Sequence, residues 1–175
     1  MSQKKILIII SGLALALSGI FYLFKVNQNA VADPRVNQIF KMRDIYNIPV
    51  AKLSTDFIII NFWASWCPPC VEETTSLVRF TEKYSQYFTL IALSQDTEKK
   101  DIESFIKVFP ALKSRYITII HDDNQSSARL FKVGGLPETF VYSVKQNKFY
   151  KITGATDWDH PDLIKNLERH FKFHF

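Results

Sequence analysis

Three kinds of hydrophobic pattern alternate along this chain. The first is an unbroken apolar run from Ile6 to Phe24, 19 residues without a charge. As a helix it would measure about 28 Å, close to the ~30 Å hydrocarbon core of a bilayer. The second kind is the short β-prone run, seen at 57–63 (FIIINFW), 88–93 and 116–120. Apolar residues at consecutive positions suit strands buried on both faces. The third kind has helical spacing. It predicts helices over 68–84, over 97–109 with Thr97 or Asp96 as cap and Pro110 as stop, over 124–131, and over 160–171 with Pro161 in its first turn. Residues 138–143 and 148–153 flank Gln146-Asn147 as a terminal hairpin. Residues 25–35 read as a polar linker, and 36–54 as a short irregular stretch with a hairpin around Asn47-Ile48-Pro49.

The order is βαβα, then βα, then ββα. Alternating units predict an α/β fold with parallel strands and helices on both faces, to which the hairpin adds antiparallel strands. Periodicity alone does not separate this outline from other α/β sandwiches. The chain then divides into an N-terminal membrane anchor or uncleaved signal (1–24, helix 6–24), a linker (25–35) and one domain (36–175). Ala30-Val31-Ala32 fits a small-x-small cleavage site, but the apolar run exceeds the ~7–15 residues of a signal core, which favours the anchor.

Charge alters the picture little. Residues 1–35 carry Lys4, Lys5, Lys25 and Arg35 against Asp33, so they hold +3 of the chain's net +5. The remainder is nearly balanced and has no basic run, which argues against a nucleic-acid partner. Charge does not orient the apolar helix, because basic residues flank it on both sides. The short tail before it suits an N-terminus on the inner side, with the domain outside.

The candidate chemistry lies in the chain's two cysteines, Cys67 and Cys70, at a predicted strand-to-helix junction. A thiolate is the attacking species in disulfide exchange, and exposed amides at a helix N-terminus favour negative charge. Cys67 stands at the open end as nucleophile. Cys70, almost a turn later, can resolve a mixed disulfide by attacking Cys67's sulfur. Pro68 and Pro69 fit a first turn whose amides lack intrahelical partners. A structural pair and a zinc site are the alternatives. Zinc wants four protein ligands, and no second Cys pair or spaced His pair supplies them. His170 and His174 have helical spacing but read as a frayed amphipathic end.

Asn61-Phe62-Trp63-Ala64-Ser65-Trp66-Cys67-Pro68-Pro69-Cys70 resembles the active-site strand and turn of the TlpA/ResA/DsbE-type thioredoxin-like proteins, bacterial extracytoplasmic thiol–disulfide oxidoreductases. Val133-Gly134-Gly135-Leu136-Pro137-Glu138-Thr139-Phe140 resembles their cis-proline loop, and Gly154-Ala155-Thr156-Asp157-Trp158 a weaker C-terminal pattern. The likeness spans about residues 36–172. It implies a thioredoxin-like fold, a central mixed sheet flanked by helices, behind one transmembrane helix. It further implies a cis Leu136–Pro137 bond facing the cysteines, with Leu136's backbone free to pair with an extended substrate segment. Trp66, Pro68 and Pro69 would line the same substrate-binding surface; Trp66 would cover Cys67, while Trp63 reads as core. Asn61 stands where cytoplasmic thioredoxins carry a buried aspartate, and it cannot accept a proton. Glu73 and Glu138 match acidic positions of the reductase and DsbE-like subsets and could move protons if partly buried; exposed surface carboxylates are the alternative. Thr74-Thr75 departs from the relatives' apolar-proline pair and leaves the helix unkinked.

The expected activity is therefore reversible exchange with protein disulfides, as a monomer without a bound cofactor or metal. The domain would face the periplasm from a single-pass anchor in the inner (cytoplasmic) membrane. A membrane thiol reductase would supply electrons, and apocytochrome c or an oxidase copper-site protein would be the client. A thiol oxidant, and a copper chaperone using the cysteines as soft ligands with His121 as the internal histidine, remain as other readings.

Overall fold

Seven apolar or amide side chains in succession leave no face of the first strand that water could cover, and residues 57–63 are accordingly the centre of the sheet. The structure is a computed structural model that describes residues 33–50 and 55–175. The apolar run 6–24, the cleavage motif and most of the linker lie outside these residues. No helix among the described residues is long and apolar enough to cross a membrane.

The elements run α1 (Pro34–Ile39), β1 (Phe57–Trp63), α2 (Pro68–Lys83), β2 (Phe88–Ser94), α3 (Lys99–Val108), a 3-10 turn (Pro110–Lys113), β3 (Ile117–His121), α4 (Ser126–Phe131), β4 (Glu138–Ser143), β5 (Lys148–Thr153) and α5 (Pro161–Phe171). The sheet order is β3-β2-β1-β4-β5. β1, β2 and β3 are parallel neighbours, while β4 runs antiparallel to β1, and β5 to β4. This mixed sheet flanked by helices is the thioredoxin-like α/β arrangement.

Strand alternation divides β1 between two layers. Phe57, Ile59 and Trp63 join Cys70, Leu77 and Phe80 of α2 and Leu163, Leu167 and Phe171 of α5 in one cluster. On the other face Phe62 packs against Phe131 of α4 and Phe140 of β4. Asn61, with the parity of Trp63, therefore faces the α2 layer. It sits opposite Thr139, whereas Phe62 sits opposite Glu138.

Three local expectations are corrected. Asp33-Pro34 opens a helix where a polar linker and irregular chain were expected: the Asp33 carboxylate caps α1, and Val36 and Ile39 are buried. Helix α3 begins at Lys99, with neither Thr97 nor the Asp96 side chain capping it, because Asp96 bonds to Ser65 instead. The C-terminal aromatics are not frayed: Phe173 and Phe175 meet Phe57 edge-on, and Phe175 also packs against Phe88. His170 bonds to the Phe149 carbonyl through Nε2.

Candidate active site

Strand β1 ends at Trp63, and a tight turn delivers Cys67 to the start of α2. The Cys67 amide donates to the Ala64 carbonyl at 3.2 Å, and Cys67 is the N-cap, in extended conformation. Pro68 and Pro69 fill the first helical positions, so the first amide able to meet the cap is that of Cys70, which donates to Cys67 Sγ at 3.3 Å. The two sulfurs are joined in a disulfide with Cα atoms 5.3 Å apart. Both cysteines are buried, Cys67 at 4% exposure, while neighbouring Trp66 stands 65% exposed. Trp63, by contrast, is core and packs on Phe105. Thr74 Oγ1 donates to the Cys70 carbonyl at 2.7 Å, and α2 continues through Thr74-Thr75 without interruption.

Beneath the helix start lies a polar cluster in the α2 layer. Asn61 Nδ2 donates to Glu73 Oε1 at 2.9 Å and to Thr139 Oγ1 at 2.9 Å. Glu73 Oε2 accepts from the Thr156 amide at 3.1 Å. Glu73 is 4% exposed, so it is not a surface carboxylate. Burial raises its pKa above the ordinary glutamate value, opposed by the Thr156 amide, the Asn61 amide and the nearby Trp158 indole, whose Nε1 has no full hydrogen bond. Trp158's own amide donates to Ser76 Oγ at 3.2 Å, and the Gly154 amide to the Pro137 carbonyl at 2.9 Å. Gly154 takes φ +81, a conformation that suits glycine at this turn. The weak C-terminal motif thus ties the proline loop to α2.

The Leu136–Pro137 bond is cis. Glu138, which follows, is 1% exposed, and it too is no surface group. Its Oε2 accepts from the Gly134 amide at 3.2 Å, and its Oε1 pairs with Lys151 Nζ at 2.6 Å. Because Glu138 and Thr139 point to opposite faces of β4, Glu73 and Glu138 occupy opposite sides of the sheet. The two candidate acids are therefore separate sites rather than a carboxylate pair. His121 Nε2 bonds to the Asp96 carbonyl at 2.8 Å, and among the described residues no group of three His, Cys, Asp or Glu side chains could hold a metal.

Residues 35–147 match the model of the AhpC/TSA family. The chain belongs to that family. This AhpC/TSA-family chain is 27% identical to the thiol–disulfide oxidoreductase ResA of Oceanobacillus iheyensis over 120 residues, which cover 68% of the chain and 59% of that protein. It is 25% identical to the thiol:disulfide interchange protein DsbE of Allochromatium vinosum over 165 residues, covering 89% of the chain and 87% of the relative. Its fold matches that of a secreted Mycobacterium tuberculosis disulfide oxidoreductase homologous to Escherichia coli DsbE. The TM-score is 0.62 at 20% identity, covering 73% of this chain and 93% of that one. StoA of Bacillus subtilis matches with a TM-score of 0.57 at 19% identity, covering 73% and 92%. The relatives are thiol–disulfide oxidoreductases of the ResA and DsbE type, and this chain carries the disulfide-capable CxxC pair.

Sequence reasoning about the family motif overlooked several residues of the site. Thr139 and the Thr156 amide complete the Glu73 cluster, and Lys151 supplies the cation for Glu138. Strand parity exposes the first and last of these: Thr139 faces Asn61, and Lys151 of β5 lies opposite Phe140, two pairs along from Glu138 and so on its face of the sheet. The Thr156 contact bridges 83 positions and has no local signal.

Proposed function

We propose that this chain is a membrane-tethered reductant of selected extracytoplasmic protein disulfides, with Cys67 as attacking and Cys70 as resolving sulfur. The observation that carries the reading is the Cys67–Cys70 disulfide at the mouth of α2. In the reduced protein the Cys67 thiolate attacks one sulfur of a substrate disulfide, and the other leaves as a thiolate. Cys70 then loses its proton and attacks Cys67 Sγ, which expels the substrate's first sulfur. Two electrons have passed to the substrate, and the internal disulfide remains for a membrane thiol reductase to reduce. Glu73, one turn beyond Cys70 and held above the usual glutamate range by burial, takes up and returns the Cys70 proton. Glu138, through Gly134, holds the loop before Pro137 in the shape that leaves Leu136's backbone open to an extended substrate segment. Trp66 provides an exposed apolar contact beside the sulfur.

The direction of flow follows from the helix start. Pro68 and Pro69 contribute no N–H, and among the described residues the Cys70 amide is the one hydrogen-bond donor on Cys67 Sγ. A thiolate with few donors is less stabilised, which disfavours the reduced form and makes the couple more reducing. A redox titration against glutathione is expected to give a potential below the ~−180 mV of protein disulfide isomerase; one near the ~−120 mV of DsbA would contradict the reductant reading. The uncharged run 6–24 supports a retained anchor in the inner membrane, with the domain on the periplasmic side. The likeness of Pro137-Glu138-Thr139-Phe140 to the cytochrome-maturation subset supports apocytochrome c, or an oxidase copper-site protein, as client. Deletion is then expected to remove c-type cytochromes or oxidase activity while leaving other secreted disulfides intact. A general loss of secreted disulfides would instead place the protein on the oxidising side.

A further inference from the structure

A second polar cluster stands behind the turn that leads into Cys67, and the exchange chemistry above makes no use of it. Asp96, just past β2, is almost fully buried. Its two carboxylate oxygens accept from the Ser65 amide at 3.1 Å each, Oδ1 accepts from Ser65 Oγ at 2.6 Å, and Oδ2 accepts from Ser94 Oγ at 2.6 Å. No ion pair to Asp96 is present among the described residues. A buried carboxyl satisfied by hydrogen bonds alone is a costly feature, and its donors are concentrated on a residue two positions before Cys67.

The platform under Asp96 is fixed in turn. The Gln95 amide donates to the Trp63 carbonyl at 2.8 Å, Gln95 Nε2 donates to buried Asp122 at 3.2 Å, and His121 Nε2 donates to the Asp96 carbonyl at 2.8 Å. The exits of β1, β2 and β3 are thus bound to one another at the segment that carries Asp96. Beyond it, the turn is pinned at Ser65 by Asp96 and at Cys67 by the Ala64 carbonyl. Trp66 lies between these two pins and stands 65% exposed.

We propose that Asp96 is a positioning residue for disulfide exchange: by gripping the amide and the hydroxyl of Ser65 it sets how Trp66 and Cys67 meet a protein substrate. The inference rests on reading Cys67–Cys70 as the exchange site. Losing the grip frees the turn at one end, and displacement of reacting groups by ~1 Å can lower a rate by about a hundredfold. A protein disulfide, which must dock on Trp66 as well as reach Cys67, feels that displacement more than a small disulfide does.

The test compares reduced wild-type protein with Asp96→Ala, Ser65→Ala and Asp96→Asn, measuring exchange with insulin and with a small aromatic disulfide. The ratio of the two rates is expected to fall about tenfold in Asp96→Ala. It should fall less in Ser65→Ala, which keeps the amide bonds, and less in Asp96→Asn, which keeps an acceptor for Ser65. An unchanged ratio in all three, whatever their stability, would overturn the proposal and leave the cluster as a fold element. An Asn variant as impaired as the Ala variant would also overturn it, by making charge rather than grip the operative property. If Asp96→Ala does not fold, Ser65→Ala decides by the same ratio. Wild-type protein that exchanges with neither disulfide would contradict the exchange reading itself, and the positioning role with it.

Discussion

Asn61→Asp tests the polar cluster under the helix start most severely, because it changes no volume and reverses one hydrogen-bond role. In the wild type, Asn61 Nδ2 lies 2.9 Å from Glu73 Oε1. The substitution sets a second carboxyl against a glutamate that burial already pushes above its ordinary pKa. Two unit charges ~4 Å apart at an effective dielectric of ~20 repel by about 4 kcal/mol, so the two groups should share one proton near neutral pH. A folded-state pKa raised above the unfolded value gives stability that is present below the unfolded pKa and lost as pH rises through the folded one. Urea denaturation of the oxidised proteins from about pH 4 to about pH 9 should therefore show a deficit against wild type that grows from under ~1 to about 3–4 kcal/mol. A deficit that stays constant, or shrinks as pH rises, would refute the facing of Asn61 and Glu73 on which the cluster rests.

Two further outcomes follow from the packing. Lys151→Met removes the cation 2.6 Å from buried Glu138, and since Lys151 itself is half exposed the loss at neutral pH should be about 1–3 kcal/mol by urea denaturation; no loss would mean that the Gly134 amide alone satisfies the carboxylate. Phe171→Ala empties a fully buried position packed against Phe57 and should cost about 3–5 kcal/mol, with a larger fall in melting temperature than any substitution at exposed His174.

Local signals carried most of the architecture. The β-prone runs at 57–63 and 88–93 and the hairpin at 138–153 could be read directly, because continuous burial and a turn leave marks in neighbouring residues. Cys67 and Cys70 stood out for the same reason: pair spacing, prolines and the strand-to-helix switch are all local. The AhpC/TSA-family membership and the fold agree with the motif resemblance. What escaped the sequence depends on contacts between distant segments. Helix α1 is short and its propensity weak, so it exists because Asp33 caps it and its buried face meets the domain. The C-terminal Phe173 and Phe175 look like surface aromatics until the Phe57 and Phe88 rings they meet are known. Asp96 has a cap's chemistry and a cap's position before α3, yet its carboxylate turns back 31 residues to Ser65. The burial of Glu73 was likewise invisible, since whether a helix carboxylate is covered depends on the loop that carries Thr156, and the burial of Glu138 depends on contacts with Gly134 and Lys151.

The central claim, that Cys67 attacks and Cys70 resolves, is tested most directly by trapping. Cys70→Ser and Cys67→Ser proteins would be expressed in cells and their adducts separated with and without reducing agent. Cys70→Ser is expected to accumulate mixed disulfides with client proteins that reductant releases, and Cys67→Ser to accumulate none. Equal trapping by both, or trapping by Cys67→Ser alone, would contradict the assignment.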